Sequence, residues 1–113
     1  MRKAVLEGWN FNVQKTGKVQ GFRMKFDKKK ETATAVMFKA LGHPARVWIV
    51  RQLAKDEHCV YEFVKSLGVE FATVSRHLAK LKQAGLITSH KQGREIWYGL
   101  NRAAITKLSA AIA

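Results

Sequence analysis

The segment Val69–Leu86 constrains the fold of this chain most, because it reads as a helix with two chemically different faces. Val74, Leu78 and Leu81 recur at the spacing of a helix packed against a core, and Gly85 predicts its end. The opposite face carries small, hydrogen-bonding and cationic side chains and no carboxylate: Ala72, Thr73, Arg76, Ala79, Lys80 and Gln83. Such a face fits the major groove of duplex DNA, but an ordinary solvated helix can also be basic.

The segments on either side of this helix favour the DNA interpretation. The preceding segment Cys59–Leu67 has apolar residues at helical spacing, and Gly68 supplies a tight turn between the two helices. After the second helix the apolar period changes to two around Gln92–Gly93, which predicts a β-hairpin with Lys91 and Arg94 at a basic tip. Helix, glycine turn, helix and hairpin is the order of a winged helix-turn-helix, in which the second helix reads DNA.

Two further helices are predicted before this unit and one after it. The first runs from about Asp27, a suitable N-cap, to Leu41 before Gly42, with an apolar face of Ala33, Val36, Met37, Ala40 and Leu41. Pro44 opens the next, whose predicted inward residues are Val47, Trp48, Val50 and Leu53, with a structural His43 before it. Asn101 caps a last helix, Arg102–Ile112. The predicted fold is mainly α with a β-hairpin wing, in the order α-α-α-α-β-β-α.

Residues 1–26 have a different pattern from the rest of the chain. Trp9, Phe11 and Val13 alternate with polar residues and Gly17 offers a turn, so a small hairpin and a disordered extension are both open. The segment is basic, which suits an arm that contacts DNA or wraps a second subunit, although translation could also start at Met24. We divide the chain into an N-terminal extension, residues 1–26, and a winged helix-turn-helix domain, residues 27–113.

The net charge of +13 over 113 residues is unevenly distributed. Residues 1–30 hold nine Lys and Arg against two acidic residues, residues 31–75 hold five of each, and residues 76–113 hold seven against one. This pattern favours a polyanionic partner, nucleic acid before a membrane. No apolar run approaches the roughly 18 residues of a membrane span. A single cysteine excludes an intrachain disulfide and favours a reducing, cytoplasmic location.

Three stretches of the sequence resemble the ArsR/SmtB family of winged-helix transcriptional repressors. FKALGHPARVWIVRQLA at 38–54 resembles the passage from the first to the second helix, ATVSRHLAKLKQAGLI at 72–87 the recognition helix, and KQGREIWYGLN at 91–101 the wing. The resemblance covers about Thr34 to Asn101. It implies a homodimer formed through the first and last helices. A partner is also expected on physical grounds, because the outer helices of so small a domain would otherwise expose their apolar faces to water. It also implies repression at a double-stranded DNA operator, which two-fold symmetry makes an inverted repeat.

The predicted DNA-binding residues lie on the recognition helix, in the wing and at the start of the last helix. Arg76 is placed to fork onto a guanine, whereas Lys80 and the cations beyond it are better placed for phosphates. His77 and His90 are predicted to be structural or DNA-facing rather than metal ligands. The full set is Ala72, Thr73, Ser75, Arg76, His77, Lys80, Gln83, Lys91, Gln92, Arg94 and Arg102.

His58 and Cys59 are the candidates for a sensor site. Many family members carry a Cys-x-Cys pair at this place, but the second position here is Tyr61, and arsenite or cadmium needs two or three thiolates. The family's other site, with acidic and His ligands on the last helix, is also missing from Arg102–Ala113. We therefore predict no metal site, cofactor or catalytic residue. A zinc or redox role of Cys59, the absence of any effector, and binding of RNA or of nucleic acid without sequence preference remain open. A thiol enzyme lacks a third, orienting group.

Overall fold

The computed structural model describes residues 12–13, 19–20 and 24–112. In chain order its elements are β1 (Asn12–Val13), β2 (Val19–Gln20), α1 (Lys28–Ala40), α2 (Pro44–Lys55), β3 (His58–Cys59), α3 (Val60–Leu67), α4 (Phe71–Gln83), β4 (Ile87–Gln92), β5 (Glu95–Leu100) and α5 (Arg102–Ile112). Strands β1 and β2 pair antiparallel. Trp9, Phe11 and the predicted turn at Gly17 lie outside the described residues, so the boundary at residue 26 stays a prediction.

Local signals account for the starts of the first two helices. Asp27 is the N-cap of α1, and its Oδ1 accepts a hydrogen bond from the Lys30 N–H at 3.1 Å. His43 is the N-cap of α2, where its Nδ1 accepts from the Ala45 N–H at 3.1 Å and Pro44 occupies the first turn. His43 therefore has the predicted structural role. Gly42 follows the C-cap of α1 but is not among the glycines with positive φ.

Left-handed glycines terminate both helices of the central motif. Gly68, at φ 65°, ends α3, and Gly85, at φ 79°, follows the C-cap of α4. The Leu86 N–H donates to the Leu81 carbonyl at 3.0 Å and the Gly85 N–H to the Lys82 carbonyl at 2.9 Å, which is the Schellman arrangement. Helix α4 begins two residues later than the segment Val69–Leu86 read from the sequence, because Glu70 is its N-cap, and it ends at Gln83, before Gly85.

The wing is a three-stranded antiparallel sheet in the order β3-β5-β4. Gln92 pairs with Glu95, so the hairpin turn is Gly93–Arg94, one residue later than predicted. Gly93 has φ 67°, and a two-residue hairpin turn requires positive φ at its first position, which glycine adopts without strain. The third strand, β3, was not predicted, because two residues are too few to show an alternating pattern.

The core lies where α2, α3 and α4 meet the sheet. Its most deeply buried side chains are Ile49, Phe63, Val74, Leu78, Leu81 and Leu86. The prediction for α2 was wrong at two positions: Val47 is 38% exposed, and Ile49, which was not predicted inward, is fully buried at 0%. Helix α2 packs against both α4 and β5, and this packing centres its buried stripe on Ile49 and Leu53.

The two outermost helices of the domain each leave large apolar side chains exposed. Ala40 is the buried residue of α1, while Val36 and Phe38 are 48% and 40% exposed. On α5, Leu108 is buried and Ile112 is 72% exposed. No helix in the described part of the chain is long and apolar enough to span a membrane.

Candidate nucleic-acid interface

One face of α4 is exposed along its length. Arg76, Lys80 and Gln83 on this face are exposed, whereas Val74 and Leu78 on the other face are 0% and 1% exposed. Ala72 and Ala79 are exposed among the polar residues, and their short side chains leave the helix backbone accessible. Helix α4 contains no acidic residue. Its outer surface is therefore cationic, with short side chains that allow close approach to a polyanion.

Three predicted site residues of α4 lie at the edges of this face. Thr73, Ser75 and His77 are half-buried. Ser75 lines a small cavity of about 170 Å³ that also borders Arg94 of the wing tip. The N-terminal half of α4 and the wing tip are therefore neighbours on the surface, as a continuous contact with a duplex requires.

His77 joins α4 to the junction between α1 and α2. Its Nδ1 accepts a hydrogen bond from Arg46 Nε at 3.2 Å, and Arg46 Nη1 donates to the Ala40 carbonyl at 3.1 Å. The centroid of the His43 ring lies 4.4 Å from the centroid of the His77 ring. We assign His77 to holding the helix rather than to contacting DNA. Sequence reasoning missed Arg46, because no local pattern marks a contact made 31 residues away.

Burial, together with the nearby charges of His43, Arg46 and Arg76, lowers the pKa of His77 below its ordinary value of 6.5. A neutral ring keeps a lone pair on Nδ1, which the hydrogen bond from Arg46 requires. A protonated ring would instead turn an N–H toward the guanidinium. The same charges that position α4 therefore favour the neutral imidazole.

Lowering the pH should weaken the contact between His77 and Arg46. His77 takes up a proton near pH 6.5 in the unfolded chain and at a lower pH in the folded chain, so its contribution to the free energy of unfolding falls as pH falls through that interval and is constant above it. His77→Asn places Oδ1 near the position of Nδ1, keeps an acceptor for Arg46 and does not titrate. Urea unfolding at about pH 8 and about pH 5.5 should show a larger loss in the native sequence than in His77→Asn. An equal loss in both proteins would contradict the assignment.

The wing tip is basic and exposed. Lys91 and Gln92 end β4, and Arg94 lies in the turn, all three in water. The base of the wing is tied to α4 because Lys82 Nζ donates to Ser89 Oγ at 2.6 Å. His90 Nε2 lies 3.8 Å from Glu57 Oε1. The wing is therefore joined to the recognition helix by a side-chain hydrogen bond, and its tip carries the predicted Lys91 and Arg94.

Arg102 does not join the other predicted site residues. Arg102 begins α5, just after the end of β5 that lies away from the wing tip. Strand β5 has six residues and spans roughly 20 Å, which separates Arg102 from the tip. Arg102 Nη2 donates to the Ala54 carbonyl at 3.0 Å, near the end of α2. The structure gives Arg102 a capping contact, and its predicted contact with phosphate is not supported by this position.

Cys59 is buried, with 6% of its surface exposed. It is the N-cap of α3, where its N–H donates to Glu62 Oε1 at 3.0 Å, and this bond lowers the pKa of Glu62. His58 Nδ1 is 3.5 Å from Glu62 Oε2. Burial raises the pKa of the Cys59 thiol, which disfavours the reactive thiolate. Residues 24–112 contain no group of three or more His, Cys, Asp or Glu side chains placed to hold a metal ion.

The fold and this surface define a class of protein. Two helices joined by a glycine turn, the second with an acid-free exposed face, are followed by an antiparallel wing with a basic tip. This arrangement is a winged helix-turn-helix domain.

Comparison with known proteins identifies the family. The profile described as bacterial regulatory protein, arsR family, matches residues 43–89. The biofilm growth-associated repressor of Agrobacterium fabrum is 31% identical over 84 residues, which cover 74% of this chain and 72% of that repressor. The HTH-type transcriptional repressor SmtB of Mycobacterium tuberculosis is 43% identical over 68 residues, which cover 60% of this chain and 50% of SmtB. The chain thus spans half the length of that relative. It belongs to the ArsR family.

Solved structures agree with this assignment. An ArsR-like transcriptional regulator from Rhodococcus superposes with a TM-score of 0.68 at 27% identity, over 74% of this chain and 79% of that one. The homodimeric winged helix-turn-helix DNA-binding domain of a possible ArsR-family regulator from Mycobacterium bovis superposes with a TM-score of 0.65 at 26% identity, over 80% and 86% of the two chains. The predicted fold class and family are confirmed.

Proposed function

We propose that this protein is a sequence-specific double-stranded DNA-binding transcriptional regulator that acts as a homodimeric repressor. The observation that carries the proposal is the exposed, acid-free face of α4, which is continuous with the basic wing tip. Arg76 supplies a planar donor pair for a base edge, while Lys80 and Lys91 supply charge for phosphates. Relatives named as repressors support the same function.

The exposed faces of α1 and α5 support the dimer. Between these helices lies a groove of about 420 Å³, lined by Ala33, Met37, Ala110 and Ala111 with Lys30 and Lys107 at its borders. Val36 and Ile112 add exposed apolar surface on the same two helices. A second copy of the chain would cover these faces. The homodimeric relative from Mycobacterium bovis supports this assignment.

Selection from random-sequence duplex DNA tests the proposal. Because two recognition helices related by a two-fold axis meet successive major grooves, the bound site should be an imperfect inverted repeat with half-sites about 10 bp apart, or a multiple. Footprinting on the selected site gives the spacing. Equal affinity for a single half-site contradicts the dimer, and equal affinity for RNA or for random duplex contradicts sequence-specific recognition of DNA.

A further inference from the structure

Two aromatic side chains lie exposed at the N-terminal end of the recognition helix. Phe71 begins α4 and is 47% exposed, and Tyr61 of α3 is 59% exposed. Their ring centroids are 5.5 Å apart at an interplanar angle of 45°. Neither ring belongs to the core cluster of the domain. This pair is absent from the DNA-binding residues predicted from the sequence.

The aromatic pair lies between the recognition face and the wing. Both rings line the cavity of about 170 Å³ that Ser75 and Arg94 also border. Phe71 and Ser75 form one row of α4, and Ala72 and Arg76 form the next row, about 100° around the helix. In helix-turn-helix proteins the N-terminal residues of the recognition helix are those that contact base edges.

Arg94 of the basic wing tip lies beside the aromatic pair, because it lines the same cavity. Arg76 follows Ser75, another residue of that lining, on α4 and is exposed. The neighbouring carboxylates are Glu70, before Phe71, and Glu95, after Arg94. The apolar pair thus adjoins Arg94, a wing-tip residue that the proposed function places against DNA. Among the groups presented in the major groove, the C5-methyl of thymine is the apolar one.

We propose that Phe71 reads a thymine through contact with its C5-methyl group, and that Tyr61 holds the Phe71 ring in position. The inference rests on the proposed function. It adds an apolar contact with a base to the hydrogen bonds that Arg76 is proposed to make. Burial of one methyl-sized group between protein and base corresponds to about 0.8 kcal/mol, or about a fourfold change in affinity.

Replacement of thymine by deoxyuridine tests the contact, because it removes the methyl group and leaves every hydrogen-bonding group in place. On the site selected from random duplexes, each thymine is replaced in turn in both half-sites. At one position per half-site we expect the native protein to bind about fourfold more weakly for each methyl removed. Phe71→Ala should bind the two duplexes equally, and Phe71→Leu should keep part of the difference.

Lys91→Ala is the matched control, since loss of a phosphate contact should weaken binding to both duplexes by the same factor. Tyr61→Ala should reduce the ratio between the two duplexes without abolishing it. Thermal unfolding of each variant verifies that the exposed substitutions leave the fold intact.

The outcomes separate this inference from the proposed function. A selected site whose thymines can all be replaced without effect overturns the thymine contact and leaves sequence-specific binding in place. A methyl effect that persists unchanged in Phe71→Ala assigns the reading to another residue and also overturns it. Failure to select any site would instead contradict the proposed function.

Discussion

Arg76→Ala should abolish most of the preference for the selected operator over random duplex DNA. We expect a loss of about 1–3 kcal/mol at the operator, or roughly 5- to 150-fold in affinity, and a smaller loss on random sequences. Arg76 is exposed at the centre of the α4 face, and no salt bridge engages it within the described residues. A guanidinium can donate two hydrogen bonds to a guanine edge, which alanine cannot replace.

Lys91→Ala provides the comparison. A phosphate contact carries no sequence information, so this change should weaken operator and random DNA by the same factor and reduce the slope of log affinity against log salt by about one. Binding titrations of both duplexes at several salt concentrations measure the two quantities together. An unchanged operator preference in Arg76→Ala would show that α4 does not present this residue to the bases.

Ile49→Ala should cost about 2–5 kcal/mol in the free energy of unfolding. Ile49 is fully buried at 0% exposure, and it lies in the cluster that also contains Phe63 and Leu78. Truncation of its side chain leaves a cavity, which the surrounding elements cannot close because α2 is packed against both α4 and β5. Since the domain also positions α4, this loss should lower the fraction of folded, DNA-binding protein at elevated temperature.

Val47→Ala, on the same helix, is the matched control. Val47 is 38% exposed, so its truncation should cost less than about 1 kcal/mol. Ile49→Val, which removes one methyl group, should fall between them at about 0.5–1.5 kcal/mol. Urea unfolding at one protein concentration compares all three, because the stability of a dimer depends on concentration. Equal losses in Ile49→Ala and Val47→Ala would contradict the observed orientation of α2.

The recognition face of α4 could be predicted because its information is local. The spacing of Val74, Leu78 and Leu81 identifies the buried stripe, and the exposed residues follow from the opposite side of the helix. The partners of Arg102 could not be predicted in the same way. Whether a cation faces a phosphate or a carbonyl depends on which element packs beside it, and Ala54 lies 48 residues away along the chain.

The sequence by itself determined the helix-turn-helix and its wing, because caps, left-handed glycines and apolar periods act within a few residues of each other, and the resemblance of three stretches indicated the family. Asp27, Gly68 and Gly85 each have the local role their residue type favours. Only the tertiary structure decided the burial of Ile49, the third strand β3, the contact between Arg46 and His77, and the pairing of Tyr61 with Phe71. Each of these depends on how separate elements pack together, and no spacing within one element encodes that arrangement.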